Sequence, residues 1–223
     1  MAHTSRHTTA HSLNWSGYVK QGTGFTSVAG SWHVPTLKTT SPGYSSTWIG
    51  IDGATAGDQY LIQTGTEGDV VNGRAVYHAW WEVITPTDEA PETLFDTLAV
   101  HPGDSIRATV SEAKSGSWKM SLHDYTTKQT VSHTATFAGP GKSAEFIQED
   151  TDVDGYISSA PDWQKVSFTG LRVNNARPAL RAAEATNIVD SHGTQEDETS
   201  APNSAGDGFT ITWLASGTQT YVG

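Results

Sequence analysis

The sequence predicts an all-β protein, a sandwich of two antiparallel sheets of the kind found in lectins and glucanases. Short runs of alternating apolar and polar residues recur along the 223-residue chain, and such alternation is typical of half-buried strands. Turn residues separate these runs, and the chain has 22 glycines and 9 prolines. No helical segments alternate with the strands, so we expect the sheets to stack directly on each other.

The predicted elements follow one another along the chain. Strands are predicted at residues 14–19, 25–34, 48–52, 58–65, 76–84, 98–100, 105–110, 118–122, 130–137, 143–150, 163–173, 209–214 and 220–222. A short helix is predicted only within 178–185, an alanine-rich stretch that begins with proline. The polar segments 36–46, 66–73, 85–96 and 190–208 are predicted loops. The last is expected to be mobile, and 85–96 is either a lid or a plain surface connection.

Domain organisation is predicted to be simple. No linker or shift in composition divides the chain, so residues 13–223 are expected to form one β-sandwich domain, preceded by a flexible lead at residues 1–12. A chain of this length can bury a core without covalent cross-links. This matters because the sequence has no cysteine, which excludes disulfides and thiolate metal sites.

The charge of the chain narrows the possible partners. The formal net charge is −11 and the isoelectric point is about 5.1, which argues against nucleic acids and anionic membranes as partners. No run approaches the ~18 apolar residues of a membrane helix, and no signal peptide is recognised. Below about pH 3 most carboxylates are neutral, and the 13 lysines and arginines repel one another only weakly. The composition therefore permits acid tolerance.

Four predicted strands carry an unusual mixture of side chains on one face. Since side chains alternate along a strand, this face bears Glu145, Ile147 and Glu149; Trp48, Gly50 and Asp52; Leu61 and Gln63; and His78, Trp80 and Glu82. An ordinary solvated face carries mainly lysine, threonine and serine. Indoles beside carboxylates and a carboxamide favour a groove that binds a substrate.

Familiar catalytic motifs are absent from the sequence. It has no Gly-x-Ser-x-Gly elbow, no His-Glu-x-x-His zinc helix, no Asp-Thr-Gly pair and no P-loop. Residues 150–155 imitate the start of a calcium loop, but Pro161 stands where a bidentate glutamate is needed, so no metal is expected. His78 is interpreted as a hydrogen-bonding residue of the groove. Glu149 and Gln63 remain as a pair able to activate a nucleophile and stabilise an anion.

These residues alone leave two other functions open. A glycoside hydrolase needs two carboxyl groups ~5–9.5 Å apart. Glu145 and Glu149 lie roughly 13 Å apart along a strand, although Glu82 and Glu149 on paired strands would suit. A lectin-like carbohydrate-binding module on the same sandwich is the non-enzymatic alternative.

Six motifs in a fixed order resemble those of the glutamic peptidases called eqolisins. They are Asn14-Trp-Ser-Gly17, Trp48-Ile-Gly-Ile-Asp-Gly53, Leu61-Ile-Gln-Thr-Gly65, Tyr77-His-Ala-Trp-Trp-Glu82, Pro102-Gly-Asp104 and Ala144-Glu-Phe-Ile-Gln-Glu149. The resemblance runs from about residue 14 to at least 170. It implies a β-sandwich and acid endopeptidase activity by a dyad at Gln63 and Glu149. It also implies that Trp48, Asp52, Trp80 and Glu82 line the substrate groove. His78, on the same face as Trp80 and Glu82, is expected to line it as well.

The resemblance implies a secreted monomer that cleaves polypeptides, needs no cofactor and is insensitive to pepstatin. Glu149 is expected to be a general base that is ionised in the free protein, and activity is expected to peak below about pH 5. Three features depart from the family pattern. His78 stands where aspartate is common, Gln148 occupies a usually apolar position, and the cysteines of some relatives are absent.

Overall fold

Strands account for most of the structure, a computed structural model that describes residues 10–55, 57, 59–89 and 91–222. In order they are β1 (Ala10–Ser12), β2 (Trp15–Gln21), β3 (Ser27–His33), β4 (Gly43–Ile51), β5 (Leu61–Val71), β6 (Arg74–Thr85), β7 (Asp88–Glu89), β8 (Thr93–Leu94), β9 (Ser105–Lys114), β10 (Ser117–Asp124), β11 (Gln129–Thr136), β12 (Ser143–Asp150), β13 (Asp152–Val153), β14 (Tyr156–Ile157), β15 (Lys165–Val173), β16 (Ala185–Ile188), β17 (Asp197–Thr199), β18 (Phe209–Trp213) and β19 (Thr220–Tyr221). The predicted helix is reduced to one 3-10 turn at Ala182–Glu184.

The strands of the described ranges form two large sheets and one small one. The first sheet has the order β1-β16-β2-β12-β4-β5-β6-β7, with β8 also paired to β6, and the second has the order β11-β10-β9-β3-β15-β18-β17. Strands β13, β14 and β19 form the small sheet. Pairing is antiparallel except between β1 and β16. The predicted all-β fold of two antiparallel sheets is confirmed.

The hydrophobic core lies between the two large sheets. Phe146 of β12 and Ile49 of β4 pair across the first sheet, while Trp32 of β3 and Phe168 of β15 come from the second, and all four are buried. Each such side chain contributes about 1.5–3 kcal/mol by leaving water. A Cβ at Gly30 would lie 2.8 Å from Leu171 and 3.5 Å from Ile49. The sheets therefore approach closely here because Gly30 has no side chain.

Gln148, which occupies a position that is usually apolar in the family, lies on the core face of β12. Gln148 is fully buried, and its Oε1 accepts a hydrogen bond of 2.6 Å from the Thr47 hydroxyl on the neighbouring strand. The two residues lie directly opposite each other in the register of β12 and β4. The cross-strand partner thus satisfies the carboxamide oxygen at this position, whereas the buried Nε2 has no hydrogen-bond partner among the described residues.

Several details differ from the sequence-based predictions. Residues 98–100, predicted as a strand, are not in one, and the predicted loop 85–96 contains β7 and β8. The segment predicted as the loop 66–73 is mostly strand, because β5 and β6 are joined by a two-residue turn at Asn72-Gly73, where φ is 52° and 73°. Ala10–Ser12, predicted within the flexible lead, pair with β16, whereas residues 1–9 lie outside the described residues. The predicted loop 36–46 ends in the first residues of β4. The predicted mobile loop 190–208 contains β17.

Residues 150–155 do not form a loop of the calcium-binding kind. Strands β13 and β14 pair as a hairpin, and φ is positive at both Asp154 (55°) and Gly155 (80°), as a type I′ turn requires. The Asp152 carboxylate accepts a hydrogen bond of 2.9 Å from the Gly155 amide. Among all residues that the structure describes, no helix has the length and apolar character needed to cross a membrane.

Candidate active site

A cavity of about 1310 Å³ lies on the face of the first sheet that points away from the core. Its lining includes Gln63, Trp80, Glu82 and Glu149, four of the seven residues predicted for the site. Residues directly opposite each other on antiparallel strands share a face. The register places Glu149 opposite Ser46, and Gln63 opposite both Gly50 and Glu82, so strand pairing alone brings these side chains to one surface.

A hydrophobic cluster separate from the core lies beneath the cavity. It consists of Trp48, Leu61, Trp80 and Ile147, of which Leu61 and Trp80 line the cavity. Gly65 is opposite both Trp48 and Trp80 in the register, and a Cβ there would lie 2.6 Å from the Cβ of Trp48. The glycine between the two indoles therefore lets them pack beneath the groove.

Glu149 is held by nitrogen donors from two other strands or their ends. Its Oε1 accepts a hydrogen bond of 2.9 Å from Nδ2 of Asn14, and its Oε2 accepts one of 2.6 Å from Nε1 of Trp48. The indole of Trp15 also interacts with this carboxyl group and packs edge-on against Trp48 with ring centroids 4.9 Å apart. The carboxyl group is thus fixed at both oxygens.

The environment of Glu149 raises its pKa to about 7. Burial is the largest cause, the charge of Glu82 adds to it, and hydrogen bonds from Trp15, Trp48 and Asn14 oppose it. A carboxyl group with this pKa is almost entirely protonated at pH 5. The raised pKa argues against the expectation that Glu149 is ionised in the free protein at acid pH. Its cause, the desolvation of the carboxyl group, is not visible in a sequence.

Gln63 lies beside a second acid. Its Nε2 donates a hydrogen bond of 2.5 Å to Oε2 of Glu82, its partner in the register of β5 and β6. Gln63 is only 5% exposed, and its Oε1 has no hydrogen-bond partner within the described part of the chain. The carboxamide therefore keeps an oxygen without a protein partner next to the cavity.

Gln63 and Glu149 line the same cavity without a direct hydrogen bond in the described chain. Their strands are separated by β4. Their β4 partners, Gly50 and Ser46, are four residues apart. The charge of Glu82, the partner of Gln63, nevertheless contributes to the raised pKa of Glu149. The arrangement leaves space between the two side chains for a substrate.

Two residues predicted to contact substrate lie elsewhere. Trp48 is fully buried, so its indole holds Glu149 from below. Asp52 is also fully buried, and its carboxylate accepts hydrogen bonds from the backbone amides of Gly141 (2.9 Å) and Lys142 (2.6 Å). Strand β4 ends at Ile51 and φ is 71° at Asp52, so side-chain alternation stops there. The assignment of Asp52 to the groove is corrected for this reason.

Comparison with known proteins agrees with this geometry. Residues 13–213 match the family model described as the Peptidase A4 family. This chain is a member of that family. It is 29% identical to aspergillopepsin-2 of Aspergillus niger over 92% of this chain and 78% of the relative, and 30% identical to scytalidopepsin B of Scytalidium lignicola over 83% and 67%.

Solved structures show the same fold. A crystal structure of scytalido-glutamic peptidase with a transition-state analogue inhibitor superposes with a TM-score of 0.73, at 24% identity, over 91% of this chain and 98% of that one. Aspergilloglutamic peptidase from Aspergillus niger gives a TM-score of 0.64 at 28% identity, over 77% and 99%. The resemblance to eqolisins is confirmed. The protein is a glutamic endopeptidase, a hydrolase that acts on polypeptides, which disfavours the carbohydrate-directed alternatives.

A second cluster of acidic residues lines the same cavity of the peptidase. The sequence-based predictions did not include this cluster. Glu67 and Asp69 of β5 and Glu92 before β8 all line the cavity. Burial, followed by the charge of Glu67, raises the pKa of Asp69 to about 7. Burial and a hydrogen bond to Glu67 raise the pKa of Glu92 to about 9. Alternation continued from Gln63 would have found Glu67 and Asp69, had the turn been placed at Asn72-Gly73.

His78 belongs to the edge of this acidic group. Its Nδ1 lies 2.5 Å from Oε1 of Glu67, the residue opposite it in the register, and 41% of its side chain is exposed. It therefore lies on the predicted face but is held by a carboxyl group at the rim. Sequence reasoning also missed Asn14 as a partner of Glu149.

Proposed function

We propose that this peptidase cleaves polypeptides at acid pH with Glu149 and Gln63 as its catalytic pair, without a cofactor and without a covalent intermediate. One observation carries the proposal. The carboxyl group of Glu149 borders the cavity, nitrogen donors fix both of its oxygens, and its pKa is raised to about 7. It is therefore a proton donor available throughout the acid range.

A neutral carboxyl group can both accept and donate a proton in one step. As water adds to the scissile carbonyl carbon, one oxygen of Glu149 takes a proton from the water while the O–H group of the same carboxyl gives a proton to the carbonyl oxygen. The intermediate is a neutral tetrahedral diol, and Glu149 is protonated again. The carboxamide of Gln63 orients the water and hydrogen-bonds to the oxygens of the intermediate.

The second step reverses these roles. The Glu149 O–H group protonates the nitrogen as the C–N bond breaks, and the other carboxyl oxygen takes a proton from one hydroxyl of the diol. An amine and a carboxylic acid leave, and Glu149 returns to its initial state. In this scheme Glu149 still activates the water, but its starting form is the acid rather than the carboxylate.

The other groove residues support binding. Trp80 and Glu82 line the cavity and are assigned to substrate contact, Glu82 also through its hydrogen bond to Gln63. We extend the proposal to a secreted monomer that is insensitive to pepstatin. An acid optimum requires acidic surroundings, and the chemistry uses no pair of catalytic aspartates.

The test is to incubate the protein with an unfolded polypeptide and, separately, with polysaccharides across about pH 2 to 9. We expect new peptide termini at acid pH, no release of sugars, no effect of pepstatin, and loss of activity as pH rises through about 7. A rate that instead rises through pH 7 would mean that the carboxylate is the active form. Polysaccharide cleavage without proteolysis would contradict the proposal as a whole.

A further inference from the structure

Asn14 makes a contact that the proposed pair does not account for. It lies between β1 and β2 and lines the cavity, and its Nδ2 donates to Oε1 of Glu149 over 135 residues of sequence. Its backbone carbonyl accepts a hydrogen bond of 2.9 Å from the amide of Asp150. Both its main chain and its side chain are therefore attached to the end of β12 that carries Glu149.

The orientation of the Asn14 carboxamide is fixed by Ser12. The Ser12 hydroxyl donates to Oδ1 of Asn14 at 3.4 Å and accepts hydrogen bonds from the backbone amides of Asn14 (3.3 Å) and Trp15 (3.0 Å). With Oδ1 occupied by a donor, the NH₂ group must face Glu149. A rotated amide would turn the NH₂ group away from Glu149 and lose the hydrogen bond from Nδ2.

Asn14 and Trp48 together decide how the Glu149 carboxyl group is presented. Asn14 binds one oxygen and Trp48 the other, so rotation of the carboxyl group about its last bond would break both hydrogen bonds. A carboxylate has about four acceptor sites. Those that Asn14, Trp48 and the Trp15 indole do not use are the ones available to water and substrate.

We propose that Asn14 is a positioning residue of the active site, whose Ser12-oriented carboxamide fixes the rotation of the Glu149 carboxyl group for proton transfer. This inference rests on the proposed function of Glu149. Other groups that act on Glu149 are the Trp15 and Trp48 indoles and the Glu82 carboxyl group. Glu145 shares its face of β12, and Asp150 follows it in the chain.

The test compares Asn14→Ala and Asn14→Asp with Asn187→Ala. Asn187 is a buried asparagine whose side chain accepts a hydrogen bond from the amide of Thr199, so its replacement controls for the general loss of a buried carboxamide. We expect kcat of Asn14→Ala to fall about 10- to 100-fold with little change in KM. Loss of a donor to the ionised form should also move the alkaline limb of kcat/KM upward by about one pH unit.

The aspartate variant should move that limb at least as far, since it replaces a donor by an acceptor that can carry negative charge. Asn187→Ala should leave the limb unchanged. A readout independent of turnover is the carboxyl stretch of Glu149 in infrared pH titrations, identified by its absence in Glu149→Gln, which should shift in the same direction in Asn14→Ala.

Two results separate the inference from the function on which it rests. If Glu149→Gln is inactive but the limb and the infrared titration of the Asn14 variants match the wild type, Asn14 is structural only and the inference is wrong. If Glu149→Gln remains active, the proposed catalytic pair itself is wrong. A kcat loss in Asn14→Ala that merely follows lower thermal stability, as in Asn187→Ala, would likewise overturn the positioning role.

Discussion

Glu149 and Asp150 are consecutive residues of β12 whose side chains point to opposite faces of the first sheet. Glu149 borders the cavity, whereas Asp150 is 1% exposed on the other face. Burial is the main reason why the pKa of each is raised. The two carboxyl groups differ in their partners. Nitrogen donors hold Glu149, while Asp150 hydrogen-bonds to another acid, Glu196.

The acids behind the sheet form a group of three with Asp197. Burial raises the pKa of Glu196, and it raises that of Asp197 to about 7 despite hydrogen bonds from the Ser16 hydroxyl (2.7 Å) and the Ile188 amide (3.2 Å). Such acids can be buried together because protonation removes their charges. Desolvation therefore acts in two settings in this protein. At Glu149, the proposed catalytic acid, it keeps the carboxyl group protonated, and around Asp150 it makes a polar interior stable only while it is protonated.

The largest expected effect is a loss of activity when residues of the proposed catalytic pair are replaced, compared with a replacement of Asp150 on the opposite face. Glu149→Gln should lower kcat by about 10²–10⁴-fold and Gln63→Ala by about 10²–10³-fold, with unchanged circular dichroism. Asp150→Asn, the control on the opposite face, should keep activity within about fivefold at pH 4, because asparagine resembles the neutral acid. Peptidase assays at pH 4 measure all three. Greater loss in Asp150→Asn than in Glu149→Gln would reverse the assignment of roles.

The next effect concerns stability and pH. Groups with a raised folded-state pKa bind more protons in the folded state, so their stabilisation is complete below about pH 4 and is lost as pH rises through the folded pKa. Each carboxyl group lowers the free energy of unfolding by about 1.4 kcal/mol per pH unit in that window. For Asp197, with a pKa of about 7, this sums to about 4 kcal/mol.

Chemical denaturation from about pH 4 to 7 measures this loss. We expect stability to fall steadily in the wild type, and less steeply in Asp197→Asn and Asp150→Asn, since neither variant has a proton to lose at the substituted position. Stability that is flat or rises over this range would show that the acids behind the sheet are ionised in the folded protein.

Alternation along strands explains what the sequence could predict. It placed Gln63, Trp80, Glu82 and Glu149 on one face, and all four line one cavity, because the period of two is enforced wherever a strand has one face in the core. It failed at Asp52, where a positive φ ends the pattern. A strand's period carries no information beyond its last residue.

Other parts of the site depend on contacts that local pattern does not encode. Asn14 lies outside the strands and meets Glu149 only in the folded protein, and Glu92 lies in an irregular segment between β7 and β8. The raised pKa of Glu149 arises from the summed burial by several strands, which composition does not reveal. The Asn72-Gly73 dipeptide was a usable signal, since Asn-Gly favours a two-residue hairpin turn.

A smaller effect is expected at Asp52, whose carboxylate accepts hydrogen bonds from two backbone amides. Asp52→Ala should destabilise the protein by about 1.5–3 kcal/mol, the range for hydrogen bonds to charged groups, and leave KM nearly unchanged. Asp52→Asn, which retains an acceptor oxygen, should cost less. Thermal denaturation and peptide kinetics distinguish the two roles: a KM that rises several-fold with intact stability would return Asp52 to the substrate groove.

The smallest effect tests whether the acids of the groove wall behave like those behind the sheet. The pKa of Glu92 is raised to about 9, so its contribution to local stability should decline as pH rises above about 4.5. Because Glu92 is only partly buried, solvent weakens this effect.

Glu92→Gln keeps a hydrogen-bonding group opposite Glu67 but has no carboxyl proton to lose. Amide exchange at Thr93, which pairs with Trp81, and at Phe95, whose amide donates to the Ala79 carbonyl, should therefore report increasing local opening with pH in the wild type, after correction for the intrinsic exchange rate, and little change in Glu92→Gln. Asp96→Asn, at an exposed acid of the same segment, should behave as the wild type. If exchange at these amides in the wild type is independent of pH, the Glu92 proton does not hold this segment against β6, and desolvated acids would stabilise the protein only in the interior.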